Sequence, residues 1–141
     1  MLKGNDHSMV HAGRVYLLVS MLAEKMDLAI ESTAYLMIAA VVHDLGRTNN
    51  CDDSGHGERS AKIFKMLMNS RHIIESIVTL HSRSDKSLDS QYELISILTQ
   101  IFKDADALDR VRTGDLNPKF LRLDEARDMI GIAREIYDAT R

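Results

Sequence analysis

Ala34-Tyr-Leu-Met-Ile-Ala-Ala-Val-Val42, followed at once by His43-Asp44-Leu45-Gly46, is the stretch on which the reading of this chain turns. Residues 34–42 are apolar or nearly so and show no alternation, so they read as a helix that is apolar almost all round and central to the fold. Ser32 is its predicted N-cap and Gly46 its predicted left-handed stop. The run ends in an imidazole and a carboxylate side by side, a pair that is expensive to bury without compensation. A divalent cation is the usual compensation, because neutral imidazole and carboxylate both ligate such ions.

Working outward, one proline (Pro118) and seven glycines leave few interruptions, which favours long helices. No alternating pattern persists anywhere. A first helix is predicted over about residues 7–26, with His11, Val15, Leu18 and Leu22 on one face. The polar stretch 47–55 reads as a loop. A third helix over about 56–68 puts His56, Ser60, Ile63 and Leu67 together. A fourth, about 71–82, puts Ile74, Ile77 and His81 on a common stripe. A fifth runs from Ser90 or Gln91 to about Val111, with Leu94, Leu98, Ile101, Ala105 and Leu108 as its core stripe. Gly114 and Pro118 mark a loop before a last helix over about 124–139. The fold class is all-α: one compact bundle of about six helices forming a single domain over residues 1–141.

Net charge is −3, so no global positive field favours a nucleic-acid polymer. One cysteine, Cys51, excludes an internal disulfide and suits a reducing compartment. No apolar run approaches the roughly 20 residues of a membrane span. The expectation is a soluble cytoplasmic protein with no membrane partner; oligomeric state is not readable.

The remaining donors are weak one at a time. His11 alone reads as a hydrogen-bonded core histidine, and His81 earns attention only from its apolar stripe. His72, aligned with Ser76 and Thr79, should face solvent. His7 reads as part of a fraying helix start. Taken together, inward-facing donors on four helices need a shared explanation. Unpartnered buried polar groups cost on the order of 1–3 kcal/mol each, against a net stability of about 5–15 kcal/mol. A metal centre supplies that explanation better than a polar network. Periodicity does not choose among Asp104, Asp106 and Asp109.

The order of these residues resembles the HD superfamily of metal-dependent phosphohydrolases. His11-Ala-Gly-Arg14-Val15 is similar to that family's first-helix histidine motif, and Ala39-Ala-Val-Val-His43-Asp44-Leu-Gly-Arg47 to its doublet. Lys103-Asp-Ala-Asp106-Ala-Leu-Asp109-Arg110 is similar to its closing aspartate motif, in which the ligand is the Asp after the alanine; the resemblance thus implies Asp106. His56-Gly-Glu-Arg-Ser-Ala-Lys-Ile and Leu80-His81-Ser resemble the additional histidine segments of binuclear members.

By that resemblance His11, His43, Asp44 and Asp106 hold one divalent ion, and His56 and His81 complete a second with Asp44 bridging. The ion is Mn, Fe, Zn, Ni or Mg. Asp44, Arg47 and Arg110 take catalytic roles, with Arg47, Lys103 and Arg110 binding substrate phosphate; Arg14 and Arg112 are weaker candidates, and Asp109 orients water or an arginine. The implied activity is hydrolysis of a small phosphoester or nucleotide by a metal-activated water. Cyclic-dinucleotide members carry a His-His pair and a Gly-Tyr-Pro signature; here Ser82 follows His81, so their substrate is not carried over. The alternatives are a di-iron oxygenase on the same ligands and a noncatalytic metal- or nucleotide-binding regulatory module.

Overall fold

The computed structural model describes residues 9–47, 53–68 and 72–141. They form α1 (Met9–Lys25), α2 (Ile30–Val42), α3 (His56–Met68), α4 (His72–Leu80), α5 (Glu93–Leu108), α6 (Asp124–Arg127) and α7 (Ile130–Thr140). Short 3-10 turns occupy Asp85–Leu88, Asp109–Arg112 and Pro118–Phe120. Among the described residues there is no strand, and the all-α class stands. No described helix is long and apolar enough to cross a membrane. His7 and Cys51 lie outside the described residues, and so does the Leu67 side chain.

The predicted face of α1 is buried in full: His11, Val15, Leu18 and Leu22 all point inward. The helix ends where Asp27 takes φ 52°, and Leu28 N–H donates to Ala23 C=O at 3.0 Å. The chain then re-enters a helix at Ile30 from Ala29, not from Ser32. Ser32 sits inside α2 because the tight turn at Asp27 leaves only residues 26–29 between the two helices.

Gly46 is not a left-handed stop: among the described glycines only Gly114 has positive φ. Its reason is proximity, since a Cβ there would lie 2.5 Å from Ser60 N on α3. Gly46 N–H donates to Ser60 Oγ at 2.7 Å, and Arg59 Nε donates to Gly46 C=O at 2.9 Å. The turn after the doublet is thereby fastened to α3. A second close approach joins α3 to α4, where a Cβ on Gly57 would lie 2.4 Å from Val78 C=O.

The core is built by α1, α2, α4 and α5, with Phe102 and Leu108 fully buried on the last. The α5 stripe is shifted from the predicted one: Leu94 is 47% exposed and Ile95 is buried in its place. The terminal helix is two elements, giving seven α-helices instead of six. Met129 N–H closes a tight bond to Ala126 C=O at 3.0 Å, and Met129 leaves helical geometry with its side chain buried. Asp104 pins the loop before α6. Its carboxylate accepts from the backbone N–H of Arg122 and Leu123, each at 2.8 Å, and from the Arg122 guanidinium at 2.9 Å.

Candidate metal centre

Four histidines reach one place from four elements. His11 comes from the buried face of α1, His43 caps the C-terminus of α2, His56 opens α3 and His81 follows α4. Each points one ring nitrogen away from the centre. His43 Nδ1 meets Ala40 C=O at 2.8 Å, His56 Nδ1 meets Asp53 C=O at 2.5 Å, and His81 Nδ1 meets Val78 C=O at 2.5 Å. His11 Nδ1 meets the Asp109 carboxylate at 2.7 Å. Carbonyl and ionised carboxylate oxygens only accept, so Nδ1 carries the proton in every ring. In a neutral imidazole that leaves Nε2 as a lone pair.

All four Nε2 atoms face inward. Those of His43 and His11 are 3.3 Å apart, and those of His56 and His81 only 2.8 Å. Two carboxylates join them. Asp106 Oδ1 lies 3.1 Å from His11 Nε2 and 3.3 Å from His43 Nε2. Asp44 splits its oxygens: Oδ2 is 3.6 and 3.5 Å from the Nε2 atoms of His11 and His43, and Oδ1 is 3.1 and 4.0 Å from those of His56 and His81. His11, His43 and Asp106 are close enough together to share one cation, and so are His43, Asp44 and His81. Acceptors packed against acceptors at these distances repel unless protons or a cation lie between them. The donor set thus fits one divalent ion, and its doubling across Asp44 fits two.

The titration of the metal-free cluster says the same in charge. Burial pushes His11 down, but the Asp106 and Asp109 carboxylates outweigh it and raise the imidazole to about 9. His43, also desolvated, is raised by Asp106 and Asp44. Burial would lift Asp106, yet His43 and His11 hold it well below the usual carboxylate range. His81, desolvated and beside His43, is lowered to about 3 and is neutral as a ligand must be. Protons therefore supply positive charge to the cluster when no ion does.

A cavity of about 530 Å³ opens above this floor, bounded by His81 and Asp106 below, by Phe120 at the side, and by Arg47, Lys103, Arg110, Arg112 and Arg122. Every one of these cations is already matched. Arg47 lies 3.5 Å from Asp44 and 3.3 Å from His56 Nε2. Lys103 donates to Asp85 and to Arg83 C=O, both at 2.6 Å. Arg110 grips Asp115, Arg112 lies 3.3 Å from Asp109, and Arg122 pairs with Asp104 and Asp85 at 2.9 Å. The Arg122 guanidinium outweighs partial burial and holds Asp85 down at about 2.

Of the residues read from the sequence as site residues, His11, His43, Asp44, His56, His81 and Asp106 converge, and Arg47, Lys103 and Arg110 line the cavity. Arg14 does not: it lies behind His11, donating to Asp109 at 2.7 Å and stacking over Tyr137 at 5.1 Å. Arg112 reaches the cavity wall but is also tied to Asp109. Asp104 faces the Arg122 loop and not the centre. His72 is exposed, as its alignment predicted. Asp109 orients His11 and anchors two arginines; nothing in its spacing carried that role. The three backbone acceptors were findable. Each lies three residues before its histidine, and those of His43 and His81 belong to the last helical turn, where carbonyls lack helical partners.

Neither curated proteins nor solved structures give a match to this chain. A family model described as HD domain matches residues 9–111, from the start of α1 into the 3-10 turn that carries Asp109. The chain belongs to the HD domain family.

Proposed function

We propose that this protein is a metal-dependent phosphohydrolase acting on a small phosphoester or nucleotide. The observation that carries the reading is the facing of four Nε2 lone pairs and two carboxylates on the floor of a cation-rimmed cavity. HD domains bind divalent metals and are usually phosphohydrolases. His11, His43, Asp106 and Asp44 Oδ2 would hold one ion; His56, His81 and Asp44 Oδ1 would hold a second. Bound there, divalent ions acidify water and polarise a phosphoryl oxygen.

The chain's own groups do the rest. Asp109 keeps Nε2 of His11 turned to the centre by fixing its Nδ1 proton, and the Ala40, Asp53 and Val78 carbonyls do so for the other rings. Arg47, beside both Asp44 and His56, is the cation nearest the floor and would meet a substrate phosphate. Arg110 and Lys103 reach the same anion only by exchanging Asp115 and Asp85 for it. Because each rim cation already faces a carboxylate, the pull on an anion rises sharply once the centre is charged. A cavity of about 530 Å³ suits a mononucleotide-sized ligand and not a polymer.

The test is anaerobic phosphate release from a panel of phosphoesters and nucleotides after loading with Mn, Fe, Zn, Ni or Mg. Asp44→Ala should abolish turnover with helical content retained, and Arg47→Ala should mainly raise KM. Full turnover by Asp44→Ala, or no release by any metal form, would sink the assignment; oxygen-dependent turnover by an iron form would replace it with oxygenase chemistry.

A further inference from the structure

The outer surface of the α1–α2 pair reverses the ordinary amphipathic pattern. Over residues 9–23 the exposed positions are Met9, Val10, Gly13, Leu17 and Met21; over 32–45 they are Ala34, Ile38, Val41 and Leu45. No exposed position in either stretch carries a charge or a hydrogen-bonding side chain; the exposed charges of the pair, Glu24, Lys25 and Glu31, lie at the end where the two helices join. A helix apolar on all sides is ordinarily buried on all sides, and packing among the described residues covers only the inner half of α2.

Gly13 adds an observation of a different kind. Its φ is negative, and a Cβ built on it meets nothing within 4 Å. Among the described residues no contact requires, at this position, the residue least suited after proline to a helix interior. An exposed glycine on an apolar helix face lets another backbone approach closely.

We infer that this face is the interface of a two-fold dimer, with α1 and α2 of one copy packed on α1 and α2 of the other near Gly13. An apolar face without charges is self-complementary, and a two-fold axis sets the same patch of a second copy opposite it. Two adjacent helices of this length offer roughly 25 Å by 20 Å, or on the order of 450–500 Å² per copy. The total, about 900–1,000 Å², lies below the range of stable interfaces and above most crystal-packing contacts, the size of a weak, reversible dimer. His11 and His43 of the candidate centre are buried on the inner side of the same helices. This inference stands whether or not the protein hydrolyses phosphoesters.

Sedimentation equilibrium of the full chain across the micromolar range tests it. The wild type should show concentration-dependent dimerisation. Gly13→Arg replaces glycine with a better helix former in open space, so the monomer should keep its helicity and metal content while association weakens by at least about tenfold. Ile38→Lys, on the other helix of the face, should do the same. A wild type that stays monomeric throughout overturns the inference, as does a dimer that survives either variant with unchanged affinity.

Discussion

Asp109→Asn isolates the one carboxylate that holds a proposed ligand without touching the centre. Asp109 is fully buried, accepts from His11 Nδ1 and Arg14 Nε at 2.7 Å each, and lies 3.3 Å from Arg112. Asparagine keeps the shape but removes the charge that fixes the imidazole tautomer. Losing such a partner to a metal-bound histidine costs about 10–100-fold in metal affinity, or about 1.4–2.7 kcal/mol. Asp109→Ala goes further, leaving the buried Arg14 guanidinium without its carboxylate at a cost of about 3–5 kcal/mol. With an unfolding entropy of about 0.3 kcal/mol/K for 141 residues, Tm of the alanine variant should drop by about 10–17 °C. Competition with a chelator of known affinity reads the first effect, and thermal melting of metal-free protein reads the second. Metal affinity unchanged in Asp109→Asn would refute the orienting role, whatever happens to stability.

Other outcomes follow from the same geometry. In metal-free protein, His11 is raised from 6.5 to about 9, so its contribution to stability is complete below pH 6.5 and lost as pH rises towards 9. Melting should weaken over that window without metal and far less with it, and a flat metal-free profile would contradict the His11 assignment. Gly57→Ala drives a Cβ to 2.4 Å from Val78 C=O, forcing α3 from α4 and parting His56 from His81. Elemental analysis should then show loss of the second ion with the first retained; two full equivalents would argue against the bridged pair. Asp115→Asn unties Arg110 from its carboxylate and should lower KM for a phosphorylated substrate with kcat little changed, an outcome that steady-state kinetics checks directly.

The sequence by itself determined the helical class and most of the residues that converge at the candidate centre. The α1 and α4 stripes could be read because burial at every third or fourth residue is a local property of one helix, whereas on α3 only His56 and Ser60 of the predicted face are buried, Ile63 is half-buried and Phe64 packs inward instead. The doublet after an apolar run flagged the centre because an imidazole and a carboxylate there demand compensation. Among Asp104, Asp106 and Asp109, periodicity was silent; the resemblance singled out Asp106, and the tertiary structure separated the tasks of all three. Asp104 clamps Arg122, Asp106 faces two imidazoles, and Asp109 backs His11 across 98 residues of sequence. The use of Gly46 and Gly57, the pairing of Lys103 with Asp85, and the withdrawal of Arg14 from the cavity were equally hidden. Each depends on which elements come within a few ångströms of one another. That is set by packing across the whole chain, which the spacing of residues within one helix does not encode.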